Sequence, residues 1–227
     1  MVFKELQLSD QGIFEQLLSS NGYSLSSYHF GNIFVWKGLF RIVYAVIKGR
    51  ICLFFQDKHT CFMYLPPLGG EPDISILEAC FTIMDKFNLN KNISRIENVQ
   101  KDSLCFYRRL GYDTRLKSPD YLYLREDISA LRGNKLKSKR ASYNYFNKKY
   151  DFELRPFCKE DAPGCLLLHK QWVSRRRQKV DDPAYRWMLG DSFSSHKLAM
   201  DNFRKLGLIG YVLKSKKEVI GYTFGFK

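Results

Sequence analysis

The chain has 227 residues, of which 45% are hydrophobic and 15% aromatic. This length exceeds the usual size of one domain and this composition excludes a disordered chain, so we expect two folded units or, as the second choice, one large unit. Lysine and arginine number 37 against 23 acidic residues, a formal charge of +14, which favours polyanionic partners such as RNA, anionic lipid headgroups or phosphorylated cofactors, although many basic proteins bind no nucleic acid.

The first half of the chain predicts a helix, a three-strand meander, and then alternating helices and strands. Residues 10–18 carry apolar side chains at helical spacing. Residues 40–49 and 50–59 predict two strands that meet in a hairpin turn at Gly49. The remaining elements are a third strand at 61–70, a helix at 73–87, a strand at 93–99, a short helix at 103–110 that Gly111 ends, and one or two closing strands within 112–127.

The second half begins with a stretch of strong positive charge. Residues 132–149 contain seven basic residues and no acidic one, and 135–149 predict a basic connecting helix. The elements after it are a strand at 151–157, helices at 161–177 and 183–206, and a hairpin at 208–226 that turns at 215–217. This order of strand, helices and meander repeats the start of the first half, so we infer an internal repeat.

Targeting segments and cysteine chemistry are also constrained. No run approaches the roughly 20 uncharged apolar residues of a membrane span, and the N-terminal MVFKELQLSD lacks the apolar region of a secretory signal. We therefore predict a cytoplasmic protein.

The six cysteines form no C-x-x-C pair and mostly lie in apolar patterns, so buried reduced thiols are favoured over metal ligands or disulfides.

The sequence FYRRLGY at residues 106–112 follows the predicted strand ISRIENV. A strand followed by a helix that ends in Y-x-x-L-G-[FY] resembles the late signature of the superfamily of GNAT N-acetyltransferases. The resemblance implies an acyl-CoA N-acyltransferase-like fold of the α/β (α+β) class, with a mixed, mainly antiparallel sheet flanked by helices. It also places Tyr107 where many members have a tyrosine that protonates the departing thiolate.

A second resemblance lies at the boundary between the halves. The run YLYLRED at 121–127, then Leu131, Gly133, Lys135, Lys139 and Arg140, with Asn144 and Phe146, is similar to the junction in bacterial proteins related to the C-terminal domain of phosphatidylglycerol lysyltransferase. That family implies two acetyltransferase-like folds in tandem. It divides this chain into a first domain at 1–127, a basic connecting helix at 128–149, and the first half of a second domain at 150–227.

Acyl transfer from coenzyme A needs backbone N–H groups that cradle a pyrophosphate at a helix N-terminus, and an acid for the leaving group. The cradle position in the first unit is the loop PPLGGE, where Gly69 and Gly70 allow close backbone approach. The alternative is a purely structural turn, because prolines lack N–H groups and the acidic residues repel an anion. Tyr107 likewise is either the acid or an aromatic side chain that packs its helix onto the sheet.

Two groups of cations are candidates for phosphate binding. Lys135 and Lys139 share a helix face at i, i+4, and Arg140 and Asn144 follow within the same helix, where they could bind phosphates of transfer RNA, of a cofactor or of a lipid headgroup. The alternative is a solvated basic helix. Arg175 and Arg176 end another helix, where cations also stabilise the helix dipole without any ligand. The four histidines lack a spacing that suggests a metal, and we assign none.

These observations leave two hypotheses of different class. The first is an acyltransferase-like protein that transfers an acyl or aminoacyl group from acyl-CoA or aminoacyl-tRNA to an amine or hydroxyl. The second is a non-catalytic module whose basic helix binds RNA or an anionic surface. Because the coenzyme cradle of a second unit would follow the hairpin at 208–226, we also expect this chain to be a fragment whose second copy is incomplete.

Overall fold

The computed structural model describes residues 1–19, 25–117, 121–181 and 183–226, with the backbone alone at 183–188, 190 and 191. Its strands are β1 (Lys4–Glu5), β2 (Arg41–Ile47), β3 (Arg50–Gln56), β4 (Cys61–Met63), β5 (Glu153–Pro156), β6 (Ile209–Ser215) and β7 (Glu218–Gly225). Its α-helices are α1 (Gln11–Ser19), α2 (Phe30–Val35), α3 (Ile74–Phe87), α4 (Leu104–Arg109), α5 (Arg125–Ala130), α6 (Lys137–Lys149), α7 (Ala162–Arg177) and α8 (Pro183–Asp201). Short 3-10 helices join several of them. Within the described ranges, no helix combines the length and the apolar character needed to cross a membrane.

The first sheet is antiparallel with the order β1-β2-β3-β4 and is covered by helices on both faces. Alternate side chains of β2 and β3 point to opposite faces, as the period of a strand requires. Tyr44 and Leu53 pack with Phe14 of α1 and Phe30 of α2 on one face. Phe54 packs with α3 on the other face. The predicted meander and the helix after it are therefore confirmed.

The second sheet is antiparallel with the order β5-β6-β7. Its core joins Phe157, Cys165 of α7, Met200 of α8 and Val212 of β6. The opposite face of this sheet is open among the described residues, with Leu154 62% and Tyr211 44% exposed. The connection between β6 and β7 turns at Lys216 and Lys217, which both have positive φ, so the predicted hairpin is confirmed.

The two halves start with the same turn. Gln7 precedes a 3-10 helix that ends at Asp10, and Cys158 precedes one that ends at Asp161; both leading residues have φ −123° and ψ 162°. The N–H of the residue before each turn bonds across its sheet, from Leu6 to Ile42 O and from Phe157 to Gly210 O, both at 2.9 Å. The inferred repeat is therefore visible in the backbone.

Residues of the second half also complete the core of the first. Leu206 is buried in the cluster formed by the first sheet with α1 and α2. A Cβ built on Gly38, which follows α2 in a 3-10 helix, would lie 2.8 Å from the backbone carbon of Ser194 in α8. The backbone of α8 therefore lies directly against the first half.

Two predicted features of the first half are wrong. Residues 93–99 make one parallel bridge, between Ile96 and Met63, and no continuous strand. The backbone N–H and carbonyl of Cys61 bond to the side chain of Asn88, and the carbonyl of Tyr64 accepts from the side chain of Asn98, so these groups do not extend the ladder. In the described part of 112–127, no strand forms. Instead, residues 121–124 are exposed and α5 begins at Arg125. The prediction for 118–120 lies outside the described residues.

The fold class is as expected, because antiparallel sheets flanked by helices build a mixed α+β structure consistent with an acyl-CoA N-acyltransferase-like fold. The basic connecting helix is present as α6, preceded by a 3-10 turn. The last long helix ends at Asp201, five residues before the predicted end at 206. The division of the chain at residues 127 and 149 stays a prediction.

Candidate functional site

The glycine loop of the first half was the predicted pyrophosphate cradle. Gly69 has φ +100° and Gly70 has φ +149°. A Cβ built on Gly70 would lie 1.5 Å from Arg50 Nη1, so the guanidinium of Arg50 lies directly over this glycine. Arg50 is the first residue of β3 and lies well before the loop in the sequence. The fold therefore places a cation at the loop that the loop's own sequence lacks.

The helix behind this loop does not fit a pyrophosphate. The carboxylate of Asp73 accepts hydrogen bonds from the backbone N–H of Ser75 at 2.8 Å and of Ile76 at 3.3 Å. These are the first-turn donors that would otherwise hold an anion at the N-terminus of α3. The N–H of Leu68 is also engaged, with Ile51 O at 2.8 Å. The loop therefore offers few free donors and a fixed negative charge.

Tyr107 lies on α4 and is 5% exposed. Its ring makes edge contacts with Phe106, at 5.5 Å between centroids, and with Tyr112, at 6.3 Å. These contacts fit the alternative in which an aromatic side chain packs its helix onto the sheet. Its role as an acid stays a prediction.

The cations of the connecting helix lie on an exposed element with no buried residue. Lys135, Lys139 and Asn144 are exposed, and within the described ranges neither lysine forms an ion pair. Arg140 differs, because its Nη1 donates to the carbonyl of Leu131 and also lies 3.4 Å from the carbonyl of Gly133. Arg140 therefore also ties the helix to the turn before it.

Arg175 and Arg176 are exposed in the last turn of α7. Neither lines the cavity of about 750 Å³ that lies between α7 and α8. His169, Lys170, Val173, Ser174, Arg177, Gln178 and Phe193 line this cavity. The side chain of Lys170 lies over the ring of Phe193, with Nζ 5.0 Å from the ring centroid. The cavity therefore has a cationic rim and a histidine in its wall.

The histidine belongs to a row of polar side chains behind the cavity. His169 Nε2 lies 3.1 Å from the hydroxyl of Ser192 in α8. The rings of His169 and His196 lie 4.4 Å apart between centroids. His196 Nδ1 in turn lies 2.7 Å from the hydroxyl of Tyr222 in β7. The row therefore runs from His169 on α7 through α8 to Tyr222 on β7.

Burial keeps this row uncharged at neutral pH. His169 is 6% exposed, and burial lowers its pKa from 6.5. Burial and the neighbouring His169 lower the pKa of His196 to about 4. Burial also raises the pKa of Tyr222 well above its usual value of 10. Both imidazoles are therefore neutral and the phenol is protonated under physiological conditions.

The sequence assigned no role to these histidines. His169 and His196 are 27 positions apart, and Tyr222 follows 26 positions later, so no local spacing connects them. One signal was present, because Ser192 and His196 are four residues apart and share a face of α8. Their meeting with His169 and Tyr222 depends on how α7, α8 and β7 pack.

The chain resembles known proteins over nearly its whole length. A family model described as phosphatidylglycerol lysyltransferase, C-terminal, matches residues 21–227. No curated protein matches the chain. A solved structure titled as a conserved protein of unknown function from Bacteroides thetaiotaomicron is 23% identical, with a TM-score of 0.79 over 98% of this chain and 74% of that one. At this identity the likeness shows the fold alone.

Proposed function

The chain belongs to the family of phosphatidylglycerol lysyltransferase C-terminal domains, and we propose that it transfers an aminoacyl or acyl group to an acceptor that carries phosphate. The family supports an acyl or aminoacyl transferase-like function. Within that class we favour aminoacyl-tRNA as the donor, and an amine or hydroxyl of an anionic lipid headgroup as the acceptor.

The observation that carries this proposal is the set of exposed cations on α6 and the turn before it. The family match includes this helix. Lys135, Lys137, Lys139 and Lys148 are exposed and form no ion pair among the described residues. A phosphate backbone or a charged headgroup would supply the opposite charge, and release of counterions would favour binding.

The choice of donor rests on the glycine loop. Asp73 already occupies the first N–H groups of α3, so the first half has a poor cradle for coenzyme A. An aminoacyl-tRNA is held by cations that contact its phosphate backbone, and it does not require a pyrophosphate cradle. Acyl-CoA remains the alternative donor for the assay.

The test measures transfer and binding with the same protein. Radiolabelled lysyl-tRNA or acetyl-CoA is incubated with the chain and with vesicles containing phosphatidylglycerol, and label in the lipid fraction is counted. Binding to tRNA is measured between 50 and 200 mM salt. We expect transfer from lysyl-tRNA. When Lys135, Lys139 and Lys148 are changed to glutamate, the negative slope of log K against log salt should become shallower by about 2 to 3.

The matched control changes Lys58, Lys86 and Lys91 to glutamate. These lysines are exposed on the first half, and the change in net charge is the same. An equal loss of salt dependence in both variants would contradict a specific polyanion site on α6. Salt-sensitive tRNA binding without transfer from either donor would contradict the transferase proposal and support a non-catalytic binding module.

A further inference from the structure

We propose that residues 121–124, which we name the tyrosine–leucine segment, bind the chain to the surface of an anionic lipid bilayer. The exposed lysines of α6 and of the turn before it supply the charge that attracts this surface. The inference rests on the proposed function for the identity of the lipid partner, and it deepens that function by naming the part of the chain that contacts the bilayer.

The tyrosine–leucine segment exposes four consecutive large hydrophobic side chains. Tyr121 is 88% exposed, Leu122 95%, Tyr123 55% and Leu124 68%. Among the residues that the structure describes, no other run of exposed large hydrophobic side chains is as long. Contiguous apolar surface of this kind marks a site that binds a partner or a membrane.

The two sides of the segment differ in their chemistry. The rings of Tyr121 and Tyr123 lie nearly parallel, at 5° and 6.2 Å between centroids, so both tyrosines lie on one side. Leu124 has an extended backbone, and the alternation of an extended chain places Leu122 and Leu124 on the other side. One side is therefore pure hydrocarbon, and the other carries aromatic rings with hydroxyl groups.

A bilayer surface matches both sides of the segment. Leucine side chains gain free energy when they enter the acyl region, and tyrosine rings favour the level of the headgroups, where their hydroxyls stay hydrated. RNA could stack on the tyrosines but would leave the leucines in water. The leucines therefore favour a lipid surface over RNA as the partner of this segment.

The charge near the segment is complementary to an anionic surface. Residues 121–149 contain eight basic residues and two acidic ones, Glu126 and Asp127. Both acidic residues lie in the first turn of α5, where they stabilise the helix dipole. The four exposed lysines named above, at 135, 137, 139 and 148, form no ion pair among the described residues. Each lysine near an anionic bilayer strengthens binding by about fivefold.

The first of these cations lie close to the segment along the chain. Helix α5 begins directly after Leu124 and has six residues, a length of about 9 Å. Arg140 Nη1 donates to the carbonyl of Leu131, which follows α5, and lies 3.4 Å from the carbonyl of Gly133. The start of α6 is therefore held at the end of α5. The segment and the first lysines are close enough to contact one patch of bilayer.

The test changes both leucines to alanine in the full chain, as L122A/L124A. Sedimentation measures binding to vesicles of phosphatidylcholine with about one third phosphatidylglycerol, and to vesicles of phosphatidylcholine alone. We expect L122A/L124A to bind the anionic vesicles at least about 10-fold more weakly than the wild type, because less hydrocarbon leaves water. The wild type should prefer the anionic vesicles, since they alone offer charge to the lysines.

The matched control is L89A/L167A, which removes two leucines of similar exposure, 99% and 58%, far from the segment in the sequence. We expect it to bind vesicles like the wild type. An equal loss in both double variants would overturn the inference, as would a loss below about threefold in L122A/L124A. Thermal unfolding should show that both double variants keep the wild-type fold.

Other partners of the segment give different results. L122A/L124A should bind tRNA like the wild type. If it lost tRNA binding as strongly as vesicle binding, the segment would belong to an RNA surface and the inference would fail. If the wild type were a dimer and L122A/L124A a monomer in analytical ultracentrifugation, the segment would bind a second copy, which would also overturn the inference.

The transfer assay separates this inference from the proposed function. With lysyl-tRNA as donor, L122A/L124A should need at least about 10-fold more vesicles for half-maximal transfer, with an unchanged maximal rate. An unchanged vesicle requirement would overturn the inference while the proposed function stands. If the wild type bound vesicles through the leucines and transferred nothing, the proposed function would fail and the lipid-binding surface would stand.

A second measurement needs no variant. The segment belongs to no helix or strand of the described residues, so its amides should exchange hydrogen rapidly in the free chain. Mass spectrometry of the wild type should show slower exchange at 121–124 with the anionic vesicles, and no change with phosphatidylcholine alone. Equal exchange at 121–124 with and without anionic vesicles would overturn the inference.

Discussion

The turns at Gln7–Asp10 and at Cys158–Asp161 share a backbone conformation but not their electrostatics. In the first, the carboxylate of Asp10 accepts from the Gln7 N–H at 2.8 Å and from the hydroxyl of Tyr44 at 3.2 Å. In the second, Asp161 accepts two hydrogen bonds from Arg155, at 2.7 and 2.8 Å, and its Oδ1 lies 2.8 Å from Lys214 Nζ.

This difference extends through the two halves. The first half buries apolar side chains on both faces of its sheet, and its turn is closed by neutral donors. The second half leaves one sheet face open and encloses ionic and titratable groups, among them Asp161, His169 and His196. Equivalent turns thus lead into an apolar core in one half and into an interior with ionic and titratable groups in the other.

The largest expected effect is the loss of Asp161. Its side chain is 1% exposed, and D161A would leave Arg155 and Lys214 without a counter-charge. We expect the free energy of unfolding at pH 7 to fall by about 3 to 5 kcal/mol. The equivalent change D10A removes a cap and should cost about 0.5 to 2 kcal/mol. Urea unfolding of both variants measures the difference.

The pH dependence of this difference has a definite sign. Burial alone would raise the pKa of Asp161, but the hydrogen bonds from Arg155, Lys214 and Cys158 together hold it well below its usual range. A depressed carboxyl pKa stabilises the fold fully above about pH 4, and this stability is lost as pH falls through the folded value. The gap between D161A and wild type should therefore narrow only below about pH 4. Equal costs for D161A and D10A at pH 7 would contradict the comparison.

The next effect is the pH dependence that comes from His196. Its pKa falls from 6.5 in the unfolded chain to about 4 in the fold, so the unfolded state binds more protons between these values. Stability is fully present above pH 6.5 and decreases as pH falls towards 4, by on the order of 3 kcal/mol. In H196N, the part of the decrease in the free energy of unfolding that comes from His196 should disappear. Urea unfolding at several pH values measures it.

The control for that change is H59N at an exposed position of the first half. We expect it to follow the wild-type curve. His29 and His169 also have pKa values lowered by burial, so H196N should reduce the slope without abolishing it. If the free energy of unfolding of H196N fell with pH as steeply as that of the wild type, the assignment of this titration to the second half would be contradicted.

The smallest effect concerns the contact between the halves. In G38A the added methyl would meet the backbone of Ser194 and Ser195, at 2.8 and 2.9 Å. Helix α8 would have to shift, at a cost of about 1 to 3 kcal/mol. In the control G12A on α1, a Cβ has open space, and the gain in helix propensity should stabilise the chain by up to about 1 kcal/mol. Thermal unfolding of both variants should give shifts of opposite sign, and two shifts of the same sign would show that α8 does not press on Gly38.

Much of the fold could be predicted because its signals are local. The hairpin turns at Gly49 and at Lys216 follow from turn chemistry, and α3 and α7 follow from apolar spacing and from Asp73 or Pro163 near their starts. Whether residues 93–99 form a strand could not be predicted from such local signals. A strand forms only if a neighbour offers free backbone groups, and side chains already bond those of Cys61 and Tyr64 on either side of Met63.

The sequence by itself determined the two hairpins, the helices α3 and α7, the basic character of α6 and the likeness to the family, since these depend on residue identity and spacing along the chain. Tertiary structure alone decided that Arg50 lies over Gly70, that Arg140 bonds to the preceding turn, and that His169, His196 and Tyr222 form one row. Such contacts join positions on different elements. They are selected by how helices and sheets pack, and burial then sets the pKa of the groups that packing brings together.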